Sequence, residues 1–196
     1  MDKYNFVLFL EGFFEFNRVI YAEIAKKPNV RTVMDFYPKN KALRMLYQLQ
    51  HSKTTNKFFS LPLKSLWFNS YFKNDFADQD KPIVFIFDAR LLEYDYIRDY
   101  VVWLRKKYPS CKLVVNYWDI VATWRDSAKP DAIRGMVDML VSYDKDDAEK
   151  YNMYYHVNCG VVCGLHGLSR RETEYEGKKR FYFAQGGQAV CGCRYR

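Results

Sequence analysis

The sequence predicts an α/β domain wound on both faces of a mainly parallel sheet. Three apolar runs carry that prediction. They are residues 83–88, 113–119 and 139–144, and each ends in a carboxylate. Their apolar residues are nearly continuous, the pattern of strands buried on both faces. Between the first two, Tyr94, Ile97, Val101 and Leu104 recur at helical spacing, so a crossover helix joins them. Strands and helices alternating in this way form a Rossmann-like sheet with right-handed crossovers. Ligands of such sheets sit beyond the carboxyl ends of the strands. The polar residues at those ends are therefore the first candidates for function.

The other elements follow in order. Residues 5–10 read as the first strand, and Glu11-Gly12 ends it, the glycine permitting a sharp exit. Phe16, Val19, Ile20 and Ile24 recur at helical spacing up to Pro28. Residues 30–36 read as a second strand, stopped by Tyr37-Pro38. Residues 39–80 form a helical insert. In it, Ala42, Leu43, Leu46 and Leu49 predict one helix, and Leu63, Leu66, Trp67 and Phe72 predict another beyond a break at Leu61-Pro62. A turn over 78–82 leads into the strand at 83–87. The helix from Tyr94 stops at Tyr108-Pro109. Strands follow at 112–118 and 138–143, with a short helix at 130–135 between them. Asp144 opens a last helix with acids in its first turn, which suits its positive end. Residues 153–156 read as a final strand.

Residues 1–156 are thus read as one domain. After it the composition breaks: residues 157–196 hold seven of the nine Gly, four of the five Cys and none of the six Pro. Only residues 180–184 there read as a strand, so the tail is expected to be irregular. A stapled module, a flexible extension and a stretch not selected to pack with the domain all fit. The simultaneous shift in three residue types favours the last, as in the out-of-frame end of a longer protein.

The net charge is +8, read as spread along the chain because no run of five like charges occurs. Nucleic acid is therefore not an expected partner, whereas peripheral contact with an anionic membrane face is. The N-terminal apolar run has no basic lead-in and is interrupted by Glu11, so it is not read as a signal peptide. No apolar stretch reaches the roughly 18 residues of a membrane span. A cytoplasmic protein at the inner membrane face is the expectation.

Motifs exclude more than they assign. There is no dinucleotide fingerprint, Walker loop, HExxH or GxSxG. Asp144-Lys-Asp146 has the form of a metal-binding carboxylate pair, but the same letters are a good helix cap, which is the favoured reading. Cys159, Cys163, His166, Cys191 and Cys193 supply zinc-type ligands at a spacing off the usual pattern. Neither metal nor cofactor is expected. Arg90, directly after a strand, has the fork that binds phosphate or carboxylate, or it pairs locally with Asp88. Asn116, Tyr117, Trp118 and Asp119 set rings beside an amide and an acid, a mixture suited to a sugar or a base.

Residues 81–156 resemble bacterial glycosyltransferase-like proteins of capsule and lipopolysaccharide gene clusters. The resemblance lies in the runs 82–88, 105–109, 112–119 and 143–151, and residues 40–72 look like the helical insert of that group. It implies the two-domain GT-B architecture, with this chain as the N-terminal, acceptor-side half. It also implies a nucleotide-sugar donor held mainly by a second half and a lipid-linked or saccharide acceptor. The chain then reads as an incomplete member. On that basis Glu11, Asp88 and Asp119 are candidate catalytic carboxylates, and Gly12, Arg90, Asn116 and Trp118 candidate substrate-binding residues. The alternative is a non-catalytic α/β domain that binds a nucleotide or a protein partner.

Overall fold

The computed structural model describes residues 3–11, 21–34, 36, 40–50, 54–155, 170–175, 178–185 and 188–194. Six parallel strands form one sheet in the order β2-β1-β3-β4-β5-β6. They are β1 (Asn5–Phe9), β2 (Val30–Val33), β3 (Ile83–Asp88), β4 (Lys112–Tyr117), β5 (Met139–Ser142) and β6 (Tyr154–Tyr155). The expected α/β architecture with a mainly parallel sheet is therefore present, and all six strands of this sheet are parallel. The helices are α1 (Ala22–Ala25), α2 (Lys41–Gln50), α3 (Leu61–Tyr71), α4 (Asp95–Lys107), α5 (Pro130–Ile133) and α6 (Lys145–Lys150).

The order has a switch point. From β1 the chain crosses to β2 on one side, then returns to β3 on the other side of β1. With right-handed crossovers, the two connections cover opposite faces of the sheet. The packing shows this. Leu8, Leu10 and Val30 pack with Tyr21 and Ile24 at α1. On the opposite face, register places Val7 beside Phe85 and Phe9 beside Phe87, and then Leu113 and Val115 beside those two. All six are fully buried against residues of α2, α3 and α4.

That second face is a core of rings. Phe9 meets Phe87 at 4.5 Å, Tyr100 at 5.5 Å, Phe36 at 5.8 Å and Phe85 at 6.0 Å between centroids. Each large ring buries much apolar area, and offset or edge-on contacts add to it. α4 contributes Ile97, Val101 and Leu104, as its periodicity predicts, together with Tyr96, Tyr100 and Trp103, whereas Tyr94, read with the first three, is exposed at the N-cap.

The insert differs from expectation in detail. Leu49, Leu63 and Leu66 are exposed, and α2 instead buries Tyr47 and Gln50. The Gln50 amide is accommodated because its Oε1 accepts from Trp67 Nε1 at 2.9 Å and its Nε2 donates to Tyr71 Oη at 3.1 Å, so burial leaves no polar atom unmet. Pro62 does not break the segment. It sits in the first turn of α3, where its missing N–H costs nothing. The reading of the charge as diffuse is also corrected. Residues 36–74 contain Lys39, Lys41, Arg44, Lys53, Lys57, Lys64 and Lys73 and no Asp or Glu.

In the region expected to be irregular, β7 (Arg170–Tyr175), β8 (Lys178–Gln185) and β9 (Gln188–Arg194) form an antiparallel sheet in chain order. Strand content there exceeds the single strand read at 180–184. Among the described residues no helix is long and apolar enough to cross a membrane.

Candidate functional site

Because all six strands run parallel, the carboxyl ends of β1, β3 and β4 lie side by side along one rim. Glu11 follows β1, Asp88 ends β3, and Trp118 and Asp119 follow β4. The rim between β1 and β3 is the switch point, where an open α/β sheet forms its ligand crevice.

Asp88 is the centre of what gathers there. Its side chain is buried. Oδ1 accepts from the Arg90 N–H at 3.1 Å, capping the 3-10 helix Ala89–Glu93. The same oxygen accepts from Trp118 Nε1 at 2.6 Å. Register explains the second bond. Asp88 is paired with Asn116 across β3 and β4, and Trp118 lies two residues on, on the same side by strand alternation. Burial, set against these hydrogen bonds, pushes the Asp88 carboxyl up to about 6, and the nearby Glu11 charge adds to the rise.

Glu11 joins Asp88 from the β1 side. Its Oε2 lies 3.2 Å from Arg90 Nε. Burial raises its pKa, the Arg90 guanidinium lowers it, and the Glu93 charge raises it again. The expected partnership of Asp88 and Arg90 is therefore met through the Arg90 backbone, while its guanidinium bridges to β1.

Glu93 and Arg125 carry no signal in the sequence and belong to the surroundings of this cluster. Glu93 accepts from the Arg125 N–H at 3.2 Å and pairs with Arg125 Nε at 3.4 Å. The two are 32 residues apart, and only the approach of the β4–β5 loop to the 3-10 helix after β3 brings them together.

Asp119 stands on the same rim but turns into its own loop. Its Oδ1 accepts from the Ile120 N–H at 2.8 Å, and its carbonyl accepts from Trp124 Nε1 at 3.2 Å. Trp124 meets Trp118 edge-on at 5.5 Å. Asp119 thus supports the ring beside the cluster. Asn116 is half-buried in β4, next in register to Asp88. Gly12 lies outside the described residues, as do Cys159, Cys163 and His166.

Asp144 is a helix cap: its Oδ1 accepts from the Asp147 N–H at 2.9 Å. Asp147 Oδ2 accepts from the Val121 N–H at 2.6 Å, which ties α6 to the β4–β5 loop. Among the described residues no three His, Cys, Asp or Glu side chains are gathered as metal ligands.

Chemically, the rim offers a buried carboxyl whose pKa burial raises to about 6, held at one oxygen by an indole and a backbone amide. An ion pair and two tryptophans flank it. No family model, no curated protein and no solved structure matches this chain.

Proposed function

We propose that this domain is the acceptor-side half of a GT-B-type glycosyltransferase of cell-surface polysaccharide synthesis, and that the Glu11–Asp88–Arg90–Trp118 cluster receives the acceptor. The observation that carries the reading is Asp88 itself. It is a buried carboxyl at the switch point, with its affinity for a proton raised toward neutrality. A general base works best with a pKa near the operating pH. Among the described residues both hydrogen bonds to Asp88 fall on Oδ1, so Oδ2 is the oxygen assigned to the acceptor hydroxyl. That hydroxyl attacks the anomeric carbon of the nucleotide sugar and gives its proton to Oδ2, and the nucleotide diphosphate leaves.

The electrostatics support a neutral polyhydroxy acceptor over a phosphate at this rim. Glu11, Asp88 and Glu93 supply three carboxyls. Arg90 and Arg125 already face two of them. A phosphate would compete with those carboxylates and meet the Asp88 charge. A sugar needs only acceptors and donors for its hydroxyls, and a ring such as Trp118 for its C–H face.

The test is calorimetry on the full chain. Neutral oligosaccharides typical of cell-surface polymers are expected to bind, and Asp88→Asn to weaken them about 10-fold or more, as for a hydrogen bond to a charged group. Tight nucleotide-sugar binding, with saccharide affinity unaffected by Asp88→Asn, would transfer the domain to the nucleotide-binding alternative.

A further inference from the structure

We infer that the outer face of the helical insert is a docking surface for an anionic lipid bilayer. Three observations carry this, and none depends on what the strand-end site binds.

The first is charge. Residues 36–74 hold seven Lys and Arg and no acid, while the chain as a whole has a net charge of +8. This segment is the most basic stretch of the chain: it carries +7, against +4 over residues 157–196 and −3 over residues 75–156. Among the described residues of that segment, Lys41, Arg44, Lys57 and Lys73 are exposed. Lys64 is instead buried and held by Asp99.

The second is exposed apolar surface in the same segment. Phe58 is 81% exposed, Met45 66% and Leu66 53%, with Leu49 and Leu63 also out of the core. Single exposed apolar residues are normal, but several together on neighbouring elements mark a contact surface.

The third is their arrangement. In α2, Lys41, Met45 and Leu49 are spaced i, i+4, i+8 and form one outward stripe, opposite buried Tyr47 and Gln50. Thr55 Oγ1 donates to the Leu49 carbonyl, which brings the 3-10 helix Asn56–Phe58, carrying Lys57 and Phe58, against the end of α2. In α3, Leu63 and Leu66 are one turn apart and exposed, while Phe68 and Tyr71 are buried. Cations alternating with long aliphatic and aromatic side chains suit the headgroup boundary. The apolar tips enter the acyl region there and the basic heads stay with lipid phosphates. Nucleic acid would engage the cations but leave Met45, Leu49 and Leu66 without a partner.

The experiment is flotation of the full chain with vesicles of phosphatidylcholine alone and of equal parts phosphatidylcholine and phosphatidylglycerol. Binding only to the anionic vesicles is expected. It should weaken when salt rises from about 0.1 M to 1 M and the screening length falls from about 10 Å to about 3 Å. Each basic residue near an anionic surface contributes roughly 5-fold, so Lys41→Gln, Arg44→Gln and Lys57→Gln together should reduce partitioning on the order of 100-fold. Phe58→Ser should reduce it further, and its effect should persist in high salt. All four side chains are exposed, so unchanged thermal unfolding checks that the variants remain folded. Asp88→Asn, which tests the strand-end site, should float like the wild type. Equal binding to both vesicle types would overturn the inference. So would absent binding to anionic vesicles, or duplex or single-stranded nucleic acid bound through the same three cations without vesicle binding.

Discussion

Replacing Asp88 with Asn gives a perturbation whose size follows from the site. In the unfolded chain the carboxyl titrates near 3.8, and in the fold burial pushes it up to about 6. The folded state thus holds the proton more tightly. Between these two values the native protein binds a proton that the unfolded chain has lost, so stability falls as pH rises through that window and is constant above it. At about 1.4 kcal/mol per pKa unit, the displacement corresponds to about 3 kcal/mol. Asn keeps an oxygen for Trp118 Nε1 and the Arg90 N–H but carries no proton equilibrium. Denaturant unfolding of wild type and Asp88→Asn at pH 3.5, 5 and 7.5 should therefore show the wild type losing about 3 kcal/mol relative to the variant across the series. Comparing the two proteins cancels the other titrating groups. Glu11 adds to the rise, so Glu11→Gln should lower the Asp88 pKa, read directly by carboxyl ¹³C NMR. A pH-independent difference between wild type and Asp88→Asn would refute the reasoning, because Asp88 would then titrate alike in both states.

Other consequences concern the frame that holds the site. Asp144→Ala should cost about 1 kcal/mol in chemical denaturation, the usual value of an N-cap. Phe9→Ala should cost about 3–5 kcal/mol, because it removes a fully buried ring at the centre of four others. Tyr71→Phe should destabilise by roughly 1 kcal/mol, since Gln50 loses the hydroxyl that its amide reaches. Tyr100→Phe should be neutral or stabilising by up to about 1 kcal/mol, because the Tyr100 hydroxyl is fully buried with no hydrogen-bond partner among the described residues.

The sheet was legible in the sequence because parallel strands bury both faces and so write themselves as apolar runs. The runs around residues 83–88, 112–118 and 139–143 become β3, β4 and β5 within a residue or so at each end. The faces of α2 and α3 were less legible. Leucine spacing points inward at Leu49, Leu63 and Leu66, yet the core takes Tyr47, Gln50, Phe68 and Tyr71 beside the expected Trp67 and Phe72. A buried glutamine is favourable only when its partners are in place, and Trp67 and Tyr71 come from another helix. The candidate site was legible as a rim but not as a set of contacts. Glu11 and Arg90 are 79 residues apart in the chain and meet because β3 lies next to β1. Asp88 and Trp118 meet because β4 lies next to β3, and that order is not written in any local pattern. Asp119 read like Asp88, an acid after an apolar run. It lies beyond the last paired residue of β4 and is held by its own loop.

The most direct measurement follows the indole Nε1–H resonances of Trp67, Trp103, Trp118 and Trp124 in the ¹⁵N-labelled chain as an oligosaccharide acceptor is added. The Trp118 signal should move on binding, because its N–H is held by the very carboxyl assigned to the acceptor hydroxyl, while buried Trp67 stays still. A Trp118 signal that does not respond to any saccharide but moves with a nucleotide sugar would contradict the assignment of this rim to the acceptor.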